Sequence, residues 1–267
     1  MREVSLTTMS TAYTGETAPP AAAQARGLTK VYGEGETLVT ALREINVAFE
    51  RGKFSAIMGP SGSGKSTLMH CLAGLDSITS GSALIGDVEI NTLSDKTLTL
   101  LRREAVGFVF QAFNLIPTLT ALENITLPMD IAGRRPDQAW LDTVIDAVRL
   151  RDRLHHKPTE LSGGQQQRVA CARALASQPT IIFADEPTGN LDSRSGAEVL
   201  GMLRRAVRDM GQTIVMVTHD PAAASYADRV VFLSDGAVID DLLNPTQPAV
   251  LERMAQLEAA RAEIGEH

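Results

Sequence analysis

The sequence predicts an α/β fold: a mainly parallel sheet flanked by helices, with an N-terminal antiparallel β subdomain and an inserted α-helical subdomain. Three observations carry the prediction. Residues 53–58 and 213–218 read as buried strands, the continuous apolar run at 180–184 as a strand covered on both faces, and helical patterns alternate with them. A β-rich stretch with Ile45, Val47 and Phe49 alternating to one side precedes the first of these strands. From residue 112 to residue 176 the pattern is almost wholly helical, which marks an insert.

The strand at 53–58 leads into Gly59, Pro60, Ser61, Gly62, Ser63, Gly64, Lys65, Ser66 and Thr67, which fit the phosphate-loop pattern G-x-x-x-x-G-K-[ST]. Glycines let backbone N–H groups turn inward around an anion, because no Cβ blocks the approach. Lys65 adds positive charge for β- and γ-phosphates, and the Ser66 hydroxyl suits Mg²⁺. A strand enters this loop and a helix at residues 66–73 leaves it, so the positive end of a helix dipole faces the phosphates. The prediction is therefore a P-loop NTPase core.

Composition narrows the setting. The 267 residues suffice for one large domain with an insert, and 44% hydrophobic with 21% charged residues is ordinary for a globular chain. A net charge of −7 gives no support to a nucleic-acid partner. Cys71 and Cys171 sit among apolar neighbours in predicted helices and read as buried reduced thiols. No apolar run approaches the ~18–20 residues that span a bilayer, and no secretory signal is visible, so any membrane role is expected to be peripheral.

Along the chain, residues 1–25 are rich in Thr, Ser, Ala and Pro and read as a disordered tail, with order beginning near Leu28. The main unit is expected over residues 26–243, with its helical insert at 112–176. Strands are expected at 28–32 and 39–50, then a short strand pair at 81–90 around Gly86-Asp87. A helix at 94–104 and a strand at 106–110 ending at Gln111 follow. In the insert, Thr120 and Glu123 have capping-box spacing, and Pro136 suits a first helical turn. Trp140, Leu141, Val144, Ile145 and Val148 form one apolar stripe, read as core packing. A long helix at 193–210 closes at Gly211, and residues 244–267 form a helical extension.

Asp185 and Glu186 directly follow the strand at 180–184, and ligands of open α/β sheets collect at the carboxyl ends of strands. An Asp there can hold Mg²⁺ against phosphates, and the adjacent Glu can orient or deprotonate water. Gln111 and His219 also end strands and could reach the same rim, although each taken alone also fits a satisfied structural side chain. Ser162, Gly163, Gly164 and Gln165, after Leu161, precede a predicted helix at 165–177 and offer a second anion-binding end or an ordinary small-residue cap.

Leu161 to Gln165, together with the P-loop and the later Asp185-Glu186, resembles the signature set of the ATP-binding subunits of ABC transporters. The resemblance runs from residue 28 to residue 240. Residues 57–76, 106–115, 119–125, 185–192, 217–221 and 226–230 look like the macrolide-exporter and lipoprotein-releasing subfamily (MacB/LolD type). The resemblance implies a cofactor set of ATP and Mg²⁺, with Tyr32 stacking on adenine and residues 61–67 holding the phosphates. It further implies Ser66, Gln111 and Asp185 serving Mg²⁺ or its waters, Glu186 as catalytic base and His219 as the γ-phosphate switch. Two copies would pair head to tail, with Ser162, Gly163, Gly164 and Gln165 closing over the partner's nucleotide and Asn190, Leu191 and Asp192 at the seam.

The insert, near residues 112–127, would receive a coupling element of a separate integral-membrane permease of the FtsX/MacB type. That places the chain on the cytoplasmic face of the cell membrane, powering export or extraction of a substrate. The alternative is a mechanotransmitting ATPase, like the cell-division relative FtsE, that regulates an extracytoplasmic hydrolase through its permease. Soluble relatives acting on ribosomes or DNA usually carry two ATPase halves, a long coiled-coil insert or zinc-binding cysteines. None of these is evident here, so no nucleic-acid partner is expected.

Overall fold

The computed structural model describes residues 20–265. Strand β1 (Ala21–Tyr32) pairs antiparallel with β2 (Val39–Glu50) on one edge and with β4 (Ser80–Ile85) on the other; a short β5 (Val88–Glu89) completes the sheet in the order β2-β1-β4-β5. The second sheet holds β3 (Phe54–Met58), β6 (Val106–Phe110), β7 (Ile181–Asp185), β8 (Ile214–Val217), β9 (Arg229–Ser234) and β10 (Ala237–Leu243), in the order β10-β9-β3-β8-β7-β6. All its pairs are parallel except the β9–β10 edge hairpin.

Alternation explains why the inner strands read as unbroken apolar runs. Ile57, Phe183, Val215 and Val217 face a core shared with Leu28, Phe49, Leu68 and Leu72 of the antiparallel side. Ala56, Met58, Ile182, Ala184, Ile214 and Met216 face the opposite core, with Val144, Val199, Leu203 and Phe232. A sheet buried on both faces can afford no polar alternation.

Helix α1 (Lys65–Leu72) follows β3, and α2 (Asp95–Ala105) precedes β6. The insert comprises α3 (Ala121–Ile131), α4 (Gln138–Val148) and α5 (Gly163–Ala176). The Thr120–Glu123 capping box is present, with Glu123 N donating to Thr120 Oγ1 (3.2 Å) and Thr120 N to Glu123 Oε2 (2.7 Å). Trp140 Nε1 donates to Leu175 O (3.0 Å), tying α4 to α5 beside the buried stripe of Leu141, Val144, Ile145 and Val148. Helix α6 (Ser193–Met210) ends at Gly211, whose φ of 67° is the left-handed cap glycine accepts readily. A short α7 (Pro221–Ala224) and a terminal α8 (Gln247–Gly265) complete the chain.

Three expectations are corrected. Residues 21–25, assigned to a disordered tail ending at 25, are the start of β1, and Ala22, Ala23 and Ala25 are buried. Ala23 pairs with both Phe49 and Ile85, so backbone ladders on two edges order a segment whose small side chains signal nothing by themselves. The rest of that expectation, residues 1–19, lies outside the described residues. Pro136 lies ahead of α4 rather than in its first turn, because Asp137 is the N-cap and accepts from Trp140 N (3.2 Å). Helix α5 begins at Gly163 rather than at residue 165, with Ser162 as its cap.

Candidate active site

Register brings the predicted residues together. Ile57 of β3 lies beside Val217, Asp185 beside the same Val217, and Phe110 beside Asp185. The carboxyl ends of β3, β8, β7 and β6 therefore align, and each is followed by a predicted site residue: Gly59, His219, Glu186 and Gln111. A cleft of ≈ 460 Å³ opens there, lined by Ser61, Gly62, Gly64, Lys65, Ser66, Thr67 and Glu186.

The loop's conformation demands its glycines. Gly59 has φ 151°, and a Cβ there would lie 2.0 Å from Leu233 O. Gly64 has φ 98°, with a Cβ position 2.6 Å from Ala41 O. The β9–β10 turn braces the loop, as Gly236 N donates to Ser63 O (3.1 Å) and Arg43 N donates to Gly236 O (2.7 Å). Lys65 Nζ donates to Gly59 O (2.9 Å) and Pro60 O (2.7 Å), folding back on its own loop. Burial pushes the Lys65 ammonium below its usual range, and Glu186 and Asp185 oppose that shift.

Ser66 Oγ donates to Asp185 Oδ1 at 3.5 Å. Burial pushes the Asp185 carboxyl up; the charge of Glu186 adds to this, whereas His70, Ser66 and Lys65 oppose it. Glu186 holds a left-handed backbone (φ 45°), fixed by Glu186 N donating to Val217 O (2.9 Å). That turn sends Glu186 away from its neighbour, with Oε1 at 2.8 Å from His219 Nδ1 and Oε2 accepting from Thr218 Oγ1 at 3.4 Å.

Gln111 is linked elsewhere: its Nε2 donates to Asn190 Oδ1 (3.2 Å) and Asn190 Nδ2 returns a bond to Gln111 O (3.0 Å). Asp192 caps α6, accepting from Ser195 N (3.0 Å) and Ser195 Oγ (2.7 Å). Ser162 and Gln165 close a capping box on α5, with Gln165 N to Ser162 Oγ at 3.3 Å and Ser162 N to Gln165 Oε1 at 2.9 Å. Ser162 is exposed, and none of Ser162, Gly163, Gly164 or Gln165 lines the cleft. Leu191 lies near Gly163, with its Cδ2 3.7 Å from where a Gly163 Cβ would sit. Tyr32 stands at the rim, 40% exposed, and its strand neighbour Val39 lines the cleft.

Two residues escaped the reading of the sequence. Gln167 is fully buried in α5, and its Nε2 donates to Phe110 O (3.2 Å) and Pro187 O (2.5 Å), joining α5 to the chain just before Gln111 and just after Glu186. Its helical phase, in step with buried Cys171 and Ala174, could have found it. The other is Gly236, which is packed against Ala41, and nothing local distinguishes it from any Asp-Gly turn.

Residues 42–189 match the family model described as ABC transporter. The chain is 46% identical over 220 residues to MJ0796 of Methanocaldococcus jannaschii, an ABC transporter ATP-binding protein, covering 80% of this chain and 93% of that one. It is 44% identical over 246 residues to the macrolide export ATP-binding/permease protein MacB of Bdellovibrio bacteriovorus, covering 90% of this chain but only 37% of that protein. A solved dimeric structure of MJ0796 in a post-hydrolysis state with ADP and Pi superimposes with a TM-score of 0.74 at 42% identity, covering 84% of this chain and 99% of that one.

Proposed function

This chain belongs to the ABC transporter ATP-binding family, whose members bind and hydrolyse ATP as paired cassettes to power a membrane permease, and on that premise we propose how its own residues perform the reaction. Lys65 leaves the carbonyls of Gly59 and Pro60 for the β- and γ-phosphates, which the N–H groups of residues 61–67 cradle. Tyr32 stacks on the adenine. Glu186 takes a proton from a water that attacks the γ-phosphorus; the bond to the bridging oxygen breaks, leaving ADP and inorganic phosphate. His219, held by Glu186 through Nδ1, presents its other ring nitrogen to the γ-phosphate. The observation that carries this reading is the convergence at aligned strand ends of a cleft lined by Lys65, Ser66 and Glu186, with Asp185 in contact with Ser66 and His219 in contact with Glu186.

Ser66 Oγ and Asp185 Oδ1 are hard oxygen donors that already meet across the cleft, which fits Mg²⁺ held by one carboxylate, one hydroxyl and phosphate oxygens. When bound, Mg²⁺ neutralises charge on the β- and γ-phosphate oxygens. Gln111, once released from Asn190, would offer its side-chain oxygen to the same site. No helix among the described residues is long and apolar enough to cross a membrane. We place the chain at the cytoplasmic face of the membrane, on a permease of the FtsX/MacB type. A groove of ≈ 330 Å³ where β6 meets the insert, lined by Phe108, Phe110, Pro128 and Arg173, suits the permease's coupling element.

The exposed cap at Ser162, outside its own cleft, supports action on the partner's nucleotide, with residues 190–192 at the seam. Mixing tests this. Glu186→Gln and Ser162→Arg chains are each inactive alone, while a mixed pair has one site with an intact Glu186 and an intact opposing cap. Mixing equal amounts should restore about a quarter of the wild-type rate, since half the random pairs carry one good site of two. A mixture no more active than its parents would refute action in trans.

A further inference from the structure

Lys30 is a lysine near the end of antiparallel strand β1, only 6% exposed. A buried ammonium is costly unless every N–H finds a partner. Here Nζ donates to Asp76 Oδ1 (2.7 Å), Ser77 O (2.7 Å) and Ser77 Oγ (3.3 Å), and it lies 4.5 Å from the centroid of the Tyr32 ring. The second oxygen of the same carboxylate, Asp76 Oδ2, accepts the Tyr32 hydroxyl (2.5 Å). Although burial pushes the Asp76 carboxyl up, Lys30 and Tyr32 together hold it below the usual range, so it stays ionised between them.

The geometry points to Lys30 and Asp76 as positioning residues that fix Tyr32 as a rigid platform for the purine base. Three anchors define the ring. Its backbone is set by pairing with Val39, its hydroxyl is tied to Asp76, and its π system is approached by the Lys30 ammonium. Despite this, Tyr32 keeps 40% of its surface open, beside a cleft lined by Val39 and Thr67. A ring held in place gives up little freedom when a base stacks on its open face, so stacking energy appears as affinity. An aromatic that needed only to pack would require no buried ammonium beneath it, paired to the same carboxylate that holds its hydroxyl.

This inference rests on Tyr32 as the base-stacking residue, and the experiment separates the two. Affinities of the full-length chain for ATP and for inorganic tripolyphosphate, measured by titration calorimetry with Mg²⁺ present, distinguish base-dependent from phosphate-dependent binding. Tyr32→Ala should weaken ATP about 5- to 150-fold, the span of single-base stacking, and leave tripolyphosphate unchanged. Asp76→Ala and Lys30→Met should each weaken ATP several-fold, again without effect on tripolyphosphate. Tyr32→Phe keeps the ring, loses only the anchoring hydroxyl, and should show the same selective loss. In the Tyr32→Phe background Asp76→Ala should cost much less, because its main route to the ring is already gone. If Tyr32→Ala weakens ATP selectively while Asp76→Ala, Lys30→Met and Tyr32→Phe do not, the platform stands and the positioning role is overturned. If ATP and tripolyphosphate weaken together in all three, the cluster supports the phosphate loop rather than the ring, and the inference is likewise overturned. If Tyr32→Ala leaves the ratio unchanged, the stacking assignment itself fails.

Discussion

Glu186→Gln is the substitution whose consequences the structure defines most narrowly. Glutamine has the same length, and the backbone bond from residue 186 N to Val217 O (2.9 Å) is untouched. Its amide oxygen can still accept from His219 Nδ1, which lies 2.8 Å from Glu186 Oε1, and its contact with Thr218 survives. Nothing in the phosphate loop changes, so ATP affinity should stay within about twofold, a shift of under ~0.5 kcal/mol. What disappears is a carboxylate able to take a proton from water. Loss of a general base costs about 10²–10⁴ in rate, or roughly 3–5.5 kcal/mol of barrier. Steady-state phosphate release, beside ATP binding measured on the same preparation, separates the two effects. With hydrolysis stalled, the variant should also accumulate as an ATP-bound dimer on gel filtration. Turnover near the wild-type rate with binding intact would remove Glu186 from the role of base.

Gly59→Ala should unfold the loop rather than merely slow it. Its Cβ would lie 2.0 Å from Leu233 O, and overpacking plus backbone strain at φ 151° should cost about 2–5 kcal/mol, read as a lowered Tm together with lost ATP binding. Asp185→Asn should raise the Tm of the nucleotide-free chain while abolishing Mg²⁺-dependent turnover. Burial lifts the folded-state pKa of Asp185, so the wild type loses stability as pH rises from the ordinary carboxylate value of about 3.9 through the lifted one. The advantage of the variant should therefore be full above that window and vanish below it, as followed by melting curves across pH. Gln167→Leu withdraws the donor from Phe110 O and Pro187 O, at about 1–3 kcal/mol each, partly offset because Gln167 Oε1 is itself buried without a partner. Turnover should fall with ATP affinity retained, and a normal kcat would show that this bridge is structural only.

What the sequence disclosed follows from where its signals are local. The phosphate loop, Asp185-Glu186 and the strand runs are contiguous, and parallel strands buried on both faces cannot disguise their apolar continuity. The cap at Thr120 was legible because the capping residue is a neighbour, and the helices that follow Ser94 and Asp192 start within a residue of where their pattern placed them. Failures came where distant segments supply the order. Residues 21–25 are alanine-rich and gain their strand from ladders to Phe49 and Ile85. Lys30 and Asp76 meet only because β1 passes the end of α1, and neither residue carries a motif. The link from Gln111 to Asn190 likewise joins two loops that only sheet order makes neighbours. Gln167 hid in a polar run, where one glutamine of three turns inward.

If the cleft between Lys65 and Glu186 is half of a catalytic site, turnover requires a second copy of the chain. Specific ATPase activity per chain, measured over a dilution series alongside sedimentation of the same samples with ATP, tests it most directly. Activity should rise with protein concentration and level off where the chain is dimeric, falling towards zero where it sediments as a monomer. Constant specific activity down to concentrations at which only monomer is present would contradict it.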